Sequence, residues 1–574
     1  MIPKDSPSST DSLPSDLLSG ETHEFHRQGG DLTENSFVTI PLTNDLENVE
    51  PDDIEEFYSF GRVFKTISKL SIPMALSFTF SIEIFLIVIL LNNLNENDNE
   101  NDVAAATLIS VLLNALAVIG MSPLFSMSVL ASNKIGELNE AEKRGEDLIS
   151  LQEKREYIAS INRNGLWMSA VLTPPVMAGM FFSKPLLTNL FGQNEDVAQI
   201  AQNFLRTYSP AIAGLMVRIS SEQMMFSFGR AMPAMLIGLA NLGLGTGLSI
   251  WLGKGGVGVP KLGGTGIAIG FVAEAYLTAL FYSLYLAKHK DFKQFEFFKI
   301  FKRYEGQFTQ LRQLLKIGGS ISFAVASEMS MSFAVGVFSG LIGTRAQSAI
   351  TYVNQFIFLN FLGLASFGQS SSQEVSRLIG AKSYENASRM GKYSLLSTMI
   401  YTSPIPAFFA IMPSFLIISG PNKDELTAIL KYLVPAMAPG IIADAARYNL
   451  LQQLRPLGDI KGATFVSVSG LSIGIILSAV LGLKTSMGIY GVGAGNTVGV
   501  LIATGGLLHR WQSRIKPENI KKMAEAPLTN PTLLSSPTRS CYSFFNGLFN
   551  KYKEQNLLIE DKKNYGTNID FQQP

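Results

Sequence analysis

Between residues 67 and 509 the chain is a succession of long apolar runs parted by short polar breaks. The runs are 67–94, 103–131, 162–182, 204–228, 231–252, 264–287, 314–342, 346–372, 394–419, 429–454, 462–484 and 487–509. About 20 apolar residues cross a bilayer as a helix, so each run is long enough to span. The pattern predicts an all-α membrane protein with twelve transmembrane helices.

The polar ends contrast sharply with this middle. Residues 1–62 are rich in Ser, Pro, Asp, Glu and Thr, too polar to bury a core, and are expected to form a disordered cytoplasmic tail. No basic stretch followed by a short apolar one precedes the first run, so the first helix is expected to direct insertion itself. Residues 511–574 form a second polar tail, in which Phe545, Leu548, Phe549 and Tyr552 fall near one helical face. Two readings remain for that piece, a helix lying on the membrane surface and a partly disordered tail.

Charge placement orients the runs, because cytoplasmic loops hold the Lys/Arg excess. Lys134, Lys143, Arg144, Lys154, Arg155 and Arg163 follow run 2. Lys288, Lys290, Lys293, Lys299, Lys302, Arg303, Arg312 and Lys316 follow run 6, and Arg377, Lys382, Arg389 and Lys392 follow run 8. The first loop, NNLNENDNEND, has none. Both termini are therefore expected on the cytoplasmic side.

The chain also repeats itself. SNKIGELNEAEKRG after run 2 is echoed by SRLIGAKSYENASRMG after run 8, FGRAMPA by LRPLGDIKGA, and LGGTGIAIG by IYGVGAGNTVG. The echoes lie six runs apart, and an even spacing gives both halves the same orientation. Two six-helix lobes, 63–290 and 314–510, related by a pseudo-two-fold axis along the membrane normal, follow from this, with 291–313 as a cytoplasmic inter-lobe loop and a cavity between the lobes.

Composition narrows the chemistry. Lys+Arg and Asp+Glu number 46 each, so nothing draws the chain to nucleic acid. One cysteine, Cys541, excludes a disulfide framework, and no histidine lies within an apolar run beyond His509 at the very end of the last, which excludes a histidine metal cage or proton relay within the membrane. GLSIG at 470–474 has the form of a nucleophile elbow but lacks a membrane-embedded histidine to act as its base. GKG at 253–255 lacks the spacing of a phosphate loop. The chain reads as a non-enzyme without cofactor, and any transport must draw on an ion gradient.

Away from the run ends, seven charged residues nevertheless stand in the runs: Glu83, Arg218, Glu222, Glu274, Glu328, Asp444 and Arg447. A carboxylate at membrane depth costs about 2.5–3.5 kcal/mol on insertion scales and marks an ion path or ligand site by default. Arg218 and Glu222, four apart, are expected to pair. Arg447, three residues from Asp444, either holds it ionised or snorkels to the cytoplasmic side. Glu274 has no evident partner. For Glu83 and Glu274 a transport role and a protonated packing role are equally open. Pro73, Pro174, Pro175, Pro404, Pro406, Pro435 and Pro439 interrupt the runs, which predicts bent helices around the cavity.

The order of SEMSMSF, ITYVNQFIFLNFLGLASFGQSSSQEVSRLIGA and IIADAARYNLLQQLRPLGDIKGA, with FSFGRAMPAMLIGLANLGLG to VPKLGGTGIAIG in the first half, resembles the multidrug and toxic compound extrusion (MATE) transporters over roughly residues 65–510. The resemblance implies two six-helix lobes and exchange of H⁺ or Na⁺ for organic cations or other amphiphiles. Glu328 and Asp444 match the helix-7 and helix-10 carboxylates of the NorM-type cation site, with Asn354 matching a helix-8 asparagine and Asn241 a helix-5 asparagine.

Departures concentrate in the first lobe. Val88 and Gly245 stand where many members have aspartates, leaving Glu83 as the acid of run 1, and Pro456 replaces a glycine after Arg455. The expected function is an antiporter with Asp444 and Glu328 as coupling site, able to take H⁺ or Na⁺, and with Asn354, Asn241, Glu83, Glu274 and Arg447 as cavity candidates. The expected partners are small organic cations or amphiphiles and membrane lipid, with no nucleic acid and a monomeric protein. A lipid-linked saccharide flippase of the same superfamily and a non-transporting membrane scaffold are the alternatives. A bacterial inner membrane is the default setting, with an organelle or host membrane open.

Overall fold

Hydrocarbon offers no partner to a backbone N–H or C=O, so each apolar run must close its own hydrogen bonds as a helix. The computed structural model describes residues 59–94, 100–190, 193–256, 258–302, 304, 306–416 and 423–525. The residues 1–58 and 526–574 of the expected tails, including the aromatic piece around Phe545, lie outside these.

The first lobe comprises α1 (Phe60–Ser77), α2 (Thr79–Leu94), α3 (Glu100–Leu112), α4 (Ser126–Lys143), α5 (Leu148–Phe181), α6 (Glu195–Tyr208), α7 (Ala211–Ser227), α8 (Ala231–Lys254) and α9 (Gly263–Lys288). The second comprises α10 (Gln307–Ile342), α11 (Thr344–Gly380), α12 (Tyr384–Thr402), α13 (Pro404–Ile411), α14 (Lys423–Leu454), α15 (Ile460–Leu483) and α16 (Gly488–Arg514). A short helix α17 (Pro517–Glu525) follows and buries Ile520 against the second lobe.

Ten of these helical paths are each long and apolar enough to cross a membrane, and the α5 path, bent by 64° beyond Phe181, makes eleven. The twelfth, run 204–228, is not continuous. It divides at Ser209–Pro210 into α6 and α7, because proline has no N–H to carry the ladder onward. The hydropathy pattern passes over this break, and Pro210 was not among the prolines expected to interrupt a span.

The repeats in sequence become repeats in packing. Gly266 of α9 lies against the Leu252 carbonyl and Gly491 of α16 against the Leu481 carbonyl. Beside these crossings the Ser249 hydroxyl donates to Ile267 O at 3.0 Å and that of Ser478 to Val492 O at 2.9 Å. The last two helices of each lobe are thus joined by the same device, small residues permitting close approach and a serine completing a carbonyl.

Each lobe also lends the N-terminal end of its first helix to the other. Val63 and Ile67 of α1 are buried in the second lobe's core, with Ser71 Oγ 2.6 Å from Ser370 Oγ. Leu314 of α10 is buried in the first lobe's core, and Gln310 bonds to Ser160, Asn164 and the Tyr157 carbonyl. Further inter-lobe bonds join Gln369 to Gln223 (2.6 Å), Arg377 to Ser227 O (2.7 Å), Asn133 to Ser376 O (3.2 Å) and Ser122 to Ser322 (2.8 Å). These contacts run from the Lys/Arg-rich ends up to the level of Ser122 and Ser322. Glu328 lies six residues further along α10, about 9 Å at 1.5 Å per residue, and so sits just beyond these contacts on the side away from the Lys/Arg-rich ends.

Candidate functional site

Asp444 and Glu328 come together through an arginine. The Arg447 guanidinium donates from Nε to Asp444 Oδ1 at 2.6 Å, from Nη2 to Glu328 Oε1 at 2.8 Å and from Nη1 to Ser467 Oγ at 2.9 Å. Three helices meet here, α10 bringing Glu328, α14 bringing Asp444 and Arg447, and α15 bringing Ser467. Asp444 and Arg447 share a face because residues three apart on a helix are neighbours. The Arg447 side chain is 2% exposed and bonds Asp444, so it does not snorkel to an aqueous face.

The carboxylates themselves are partly open, 17% for Glu328 and 24% for Asp444. Arg447 engages Oε1 and Oδ1, which leaves Oε2 and Oδ2 for another donor or cation. Tyr448, next to Arg447 on α14, packs edge-on against Phe361 of α11, ring centres 5.3 Å apart. The site therefore pairs negative oxygens with aromatic rings, the combination that holds an organic cation by charge and by ring quadrupole.

Asn354 is half-buried on α11. Its neighbours Val353 and Phe356 share a buried cluster with Met437 and Ile441, one to two turns before Asp444 on α14. Among the described residues it makes no hydrogen bond to either carboxylate. Arg455, two turns past Arg447, is buried and donates to Gln452 without an ion pair to Asp444 or Glu328.

The first lobe holds a second arginine-centred cluster, of which the sequence disclosed the charged members and not the pairing. Arg218 pairs with Glu274, Nη1 to Oε1 at 3.5 Å, and donates to Thr79. The expected Arg218–Glu222 pair is not the one formed. Gly214, one turn before Arg218, lets α7 lie directly on the backbone of Ala275, which brings Glu274 within reach. Glu222 is buried beside Ser77, whose hydroxyl donates instead to Met74 O. Glu274, for which no partner was evident, also accepts from Thr278 at 2.9 Å. Glu83 accepts from the Tyr208 hydroxyl at 2.7 Å. Asn241 is buried on α8, apart from the second-lobe carboxylates.

The two clusters are related by the internal repeat. Arg218 and Arg447 each stand thirteen residues before the first residue of the next helix, Ala231 or Ile460. Their accessibility differs. Glu83, Glu274 and Arg218 are at most 1% exposed, while the second-lobe carboxylates are 17% and 24% exposed. Tyr208, Thr79 and Ser467 carry no sequence signal that would have singled them out. Among the described residues no cluster of three or more acidic, histidine or cysteine side chains is arranged to hold a metal ion.

Comparison with known proteins agrees with this architecture. The MatE family matches over residues 152–251 and 320–480, taking in the helices that carry Arg218, Glu328, Asp444 and Arg447. A probable multidrug resistance protein NorM from Synechococcus sp. is 25% identical over 367 residues, 62% of this chain and 77% of that protein. Among solved structures, the eukaryotic MATE transporter AtDTX14 superposes with a TM-score of 0.67 over 81% of this chain and 99% of its own, at 16% identity. A multidrug resistance MATE family transporter in an outward-facing conformation gives 0.68 over 80% and 97%, at 15% identity.

Proposed function

The chain belongs to the MATE family of multi-pass membrane transporters, and on that premise we propose that it is a secondary antiporter expelling organic cations and amphiphilic drugs in exchange for H⁺ or Na⁺. The curated relatives carry the name multidrug resistance protein and are bacterial, the setting in which such a chain lies in the inner membrane. Its work is transport and not catalysis.

One observation carries the reading. Two carboxylates share a guanidinium, keep one oxygen each free, and sit at a partly open position just outside the inter-lobe seal. A coupling cation arriving from outside meets negative oxygens already assembled, and a bound organic cation competes for the same oxygens. Exchange follows from that competition, since the two cations bind the same charge and not the same shape. Alternation of the cavity then requires the cytoplasmic contacts between the lobes to part.

The test is efflux of a fluorescent organic cation from proteoliposomes under an imposed pH gradient and, separately, an imposed Na⁺ gradient. Flux under one of them, lost in Asp444→Asn, is the expected result. Absence of flux under both overturns the antiporter reading and leaves a flippase or a scaffold.

A further inference from the structure

Arg447 is part of the candidate site, but its charge has a consequence separate from its bonds. Asp444 and Glu328 alone would present two negative charges to the cavity. Arg447, in contact with both and shut away from solvent at 2% exposure, subtracts one. It cannot shed its proton, because the guanidinium stays charged in any protein setting, and Ser467 anchors it on the side away from the carboxylates. Arg455 does not alter the count at contact range, since its guanidinium is held by Gln452 and pairs with neither acid.

We propose that Arg447 is the residue that sets the charge specificity of this transporter, reducing the Asp444–Glu328 seat to a net charge of −1 and so restricting it to one monovalent cation at a time. This rests on the antiporter reading above and deepens it. A monovalent organic cation neutralises the seat completely. A dication leaves an uncompensated positive charge beside a buried guanidinium, where like charges a few ångströms apart repel strongly. The same balance gives the exchange its stoichiometry, one coupling cation for each monovalent substrate, because the two cannot be held together.

The sealed cluster of the first lobe supports the distinction. There the equivalent arginine, Arg218, is enclosed with Glu274 and Thr79 at no more than 1% exposure, and cannot meet a ligand of any charge from the cavity. Of the two repeat-related arginines, only Arg447 stands beside partly exposed carboxylates.

Ethidium and propidium make the test, since they share one phenanthridinium ring and carry one and two positive charges. Binding of each to the purified full chain in nucleic-acid-free nanodiscs is measured by equilibrium dialysis. Wild type is expected to favour ethidium, and Arg447→Gln to shift the affinity ratio toward propidium by about tenfold or more. Arg447→Gln leaves two acids without their guanidinium, so a second comparison decides independently of whether that variant folds. Asp444→Asn, whose seat sums to zero, is expected to lose ethidium, and Asp444→Asn with Arg447→Gln, whose seat again sums to −1, to regain it. A merely structural arginine would make the double variant no better than the single one. An unchanged ratio in a folded Arg447→Gln, or no recovery in the double variant, overturns the proposal alone. A wild type that binds neither dye overturns the antiporter reading as well.

Discussion

Gly136 and Gly380 face each other across the pseudo-two-fold axis in a reciprocal contact. A methyl group built on Gly136 of α4 would collide with the Arg377 carbonyl, and one on Gly380 of α11 would collide with the Asn133 carbonyl. Both glycines close the same S-x-x-I-G motif, so the repeat has built the crossing from one motif used twice. Either substitution, Gly136→Ala or Gly380→Ala, is expected to pry the lobes apart at the cytoplasmic face, at a cost of about 1–3 kcal/mol or more for overpacking. Ser128, buried between the lobes and bonded to Gln369, reports on this. In a Cys541→Ser background, Ser128→Cys should react slowly with an impermeant thiol reagent from the cytoplasmic side and several times faster once either alanine is added. Equal rates would show that the glycine crossing does not seal that face.

Asp444→Asn and Glu83→Gln separate the lobes as coupling sites. Each exchanges a carboxylate for an amide of similar size that keeps hydrogen-bonding capacity, so both are expected to insert and fold. Asp444→Asn removes a partly exposed charge and should abolish gradient-driven efflux. Glu83, fully buried beneath Tyr208, should tolerate the change with most of the flux retained. A dead Glu83→Gln beside an active Asp444→Asn in one proteoliposome assay would place coupling in the first lobe.

The sequence made the spans legible because hydrocarbon demands long apolar runs, and made Asp444 and Glu328 legible because a carboxylate stands out among them. It could not show which arginine meets which acid. Arg218 has Glu222 four residues away on its own helix, yet reaches Glu274 on α9, because Gly214 lets the two helices touch at Ala275. A glycine one turn before a buried arginine was the available signal, and its meaning depends on knowing what it lies against. The break at Pro210 escaped for a different reason, since hydropathy averages over a single missing hydrogen bond.

The inter-lobe loop is expected to stay docked throughout the pH range in which transport would be assayed. Its lysine Lys302 bonds Glu156 at 2.9 Å, and that bond raises the Lys302 pKa above the ordinary lysine range. Stability from a raised lysine is present at lower pH and lost only as pH rises through the folded value. Glu296 is held below the ordinary carboxylate range, chiefly by its bond from Lys299, and its contribution is lost only as pH falls through that lower value. Neither window reaches neutrality. Tryptic cleavage after Lys299 and Lys302, normalised to a loop peptide, should therefore be constant from about pH 6 to 8.5. Glu156→Gln, which also deprives the buried Arg163 of its partner, should speed it at every pH.

Stability of the first lobe should depend on the Arg218–Glu274 pair and little on Glu222. Breaking a buried ion pair from one side leaves an uncompensated charge and costs about 3–5 kcal/mol, whereas removing both partners is far milder. Arg218→Gln is accordingly expected to lower the thermal midpoint in detergent by many degrees, and Glu274→Gln added to it to restore most of the loss. Glu222→Gln, alone or combined with Arg218→Gln, should do little, since its carboxylate forms no ion pair with Arg218 within the distance at which Glu274 does. The cycle separates the two pairings because both glutamates change by the same atoms and, of the two, Glu274 is the one within ion-pair distance of the guanidinium. Rescue by Glu222→Gln in place of Glu274→Gln would restore the pairing of neighbours on one helix and refute the contact across α7 and α9.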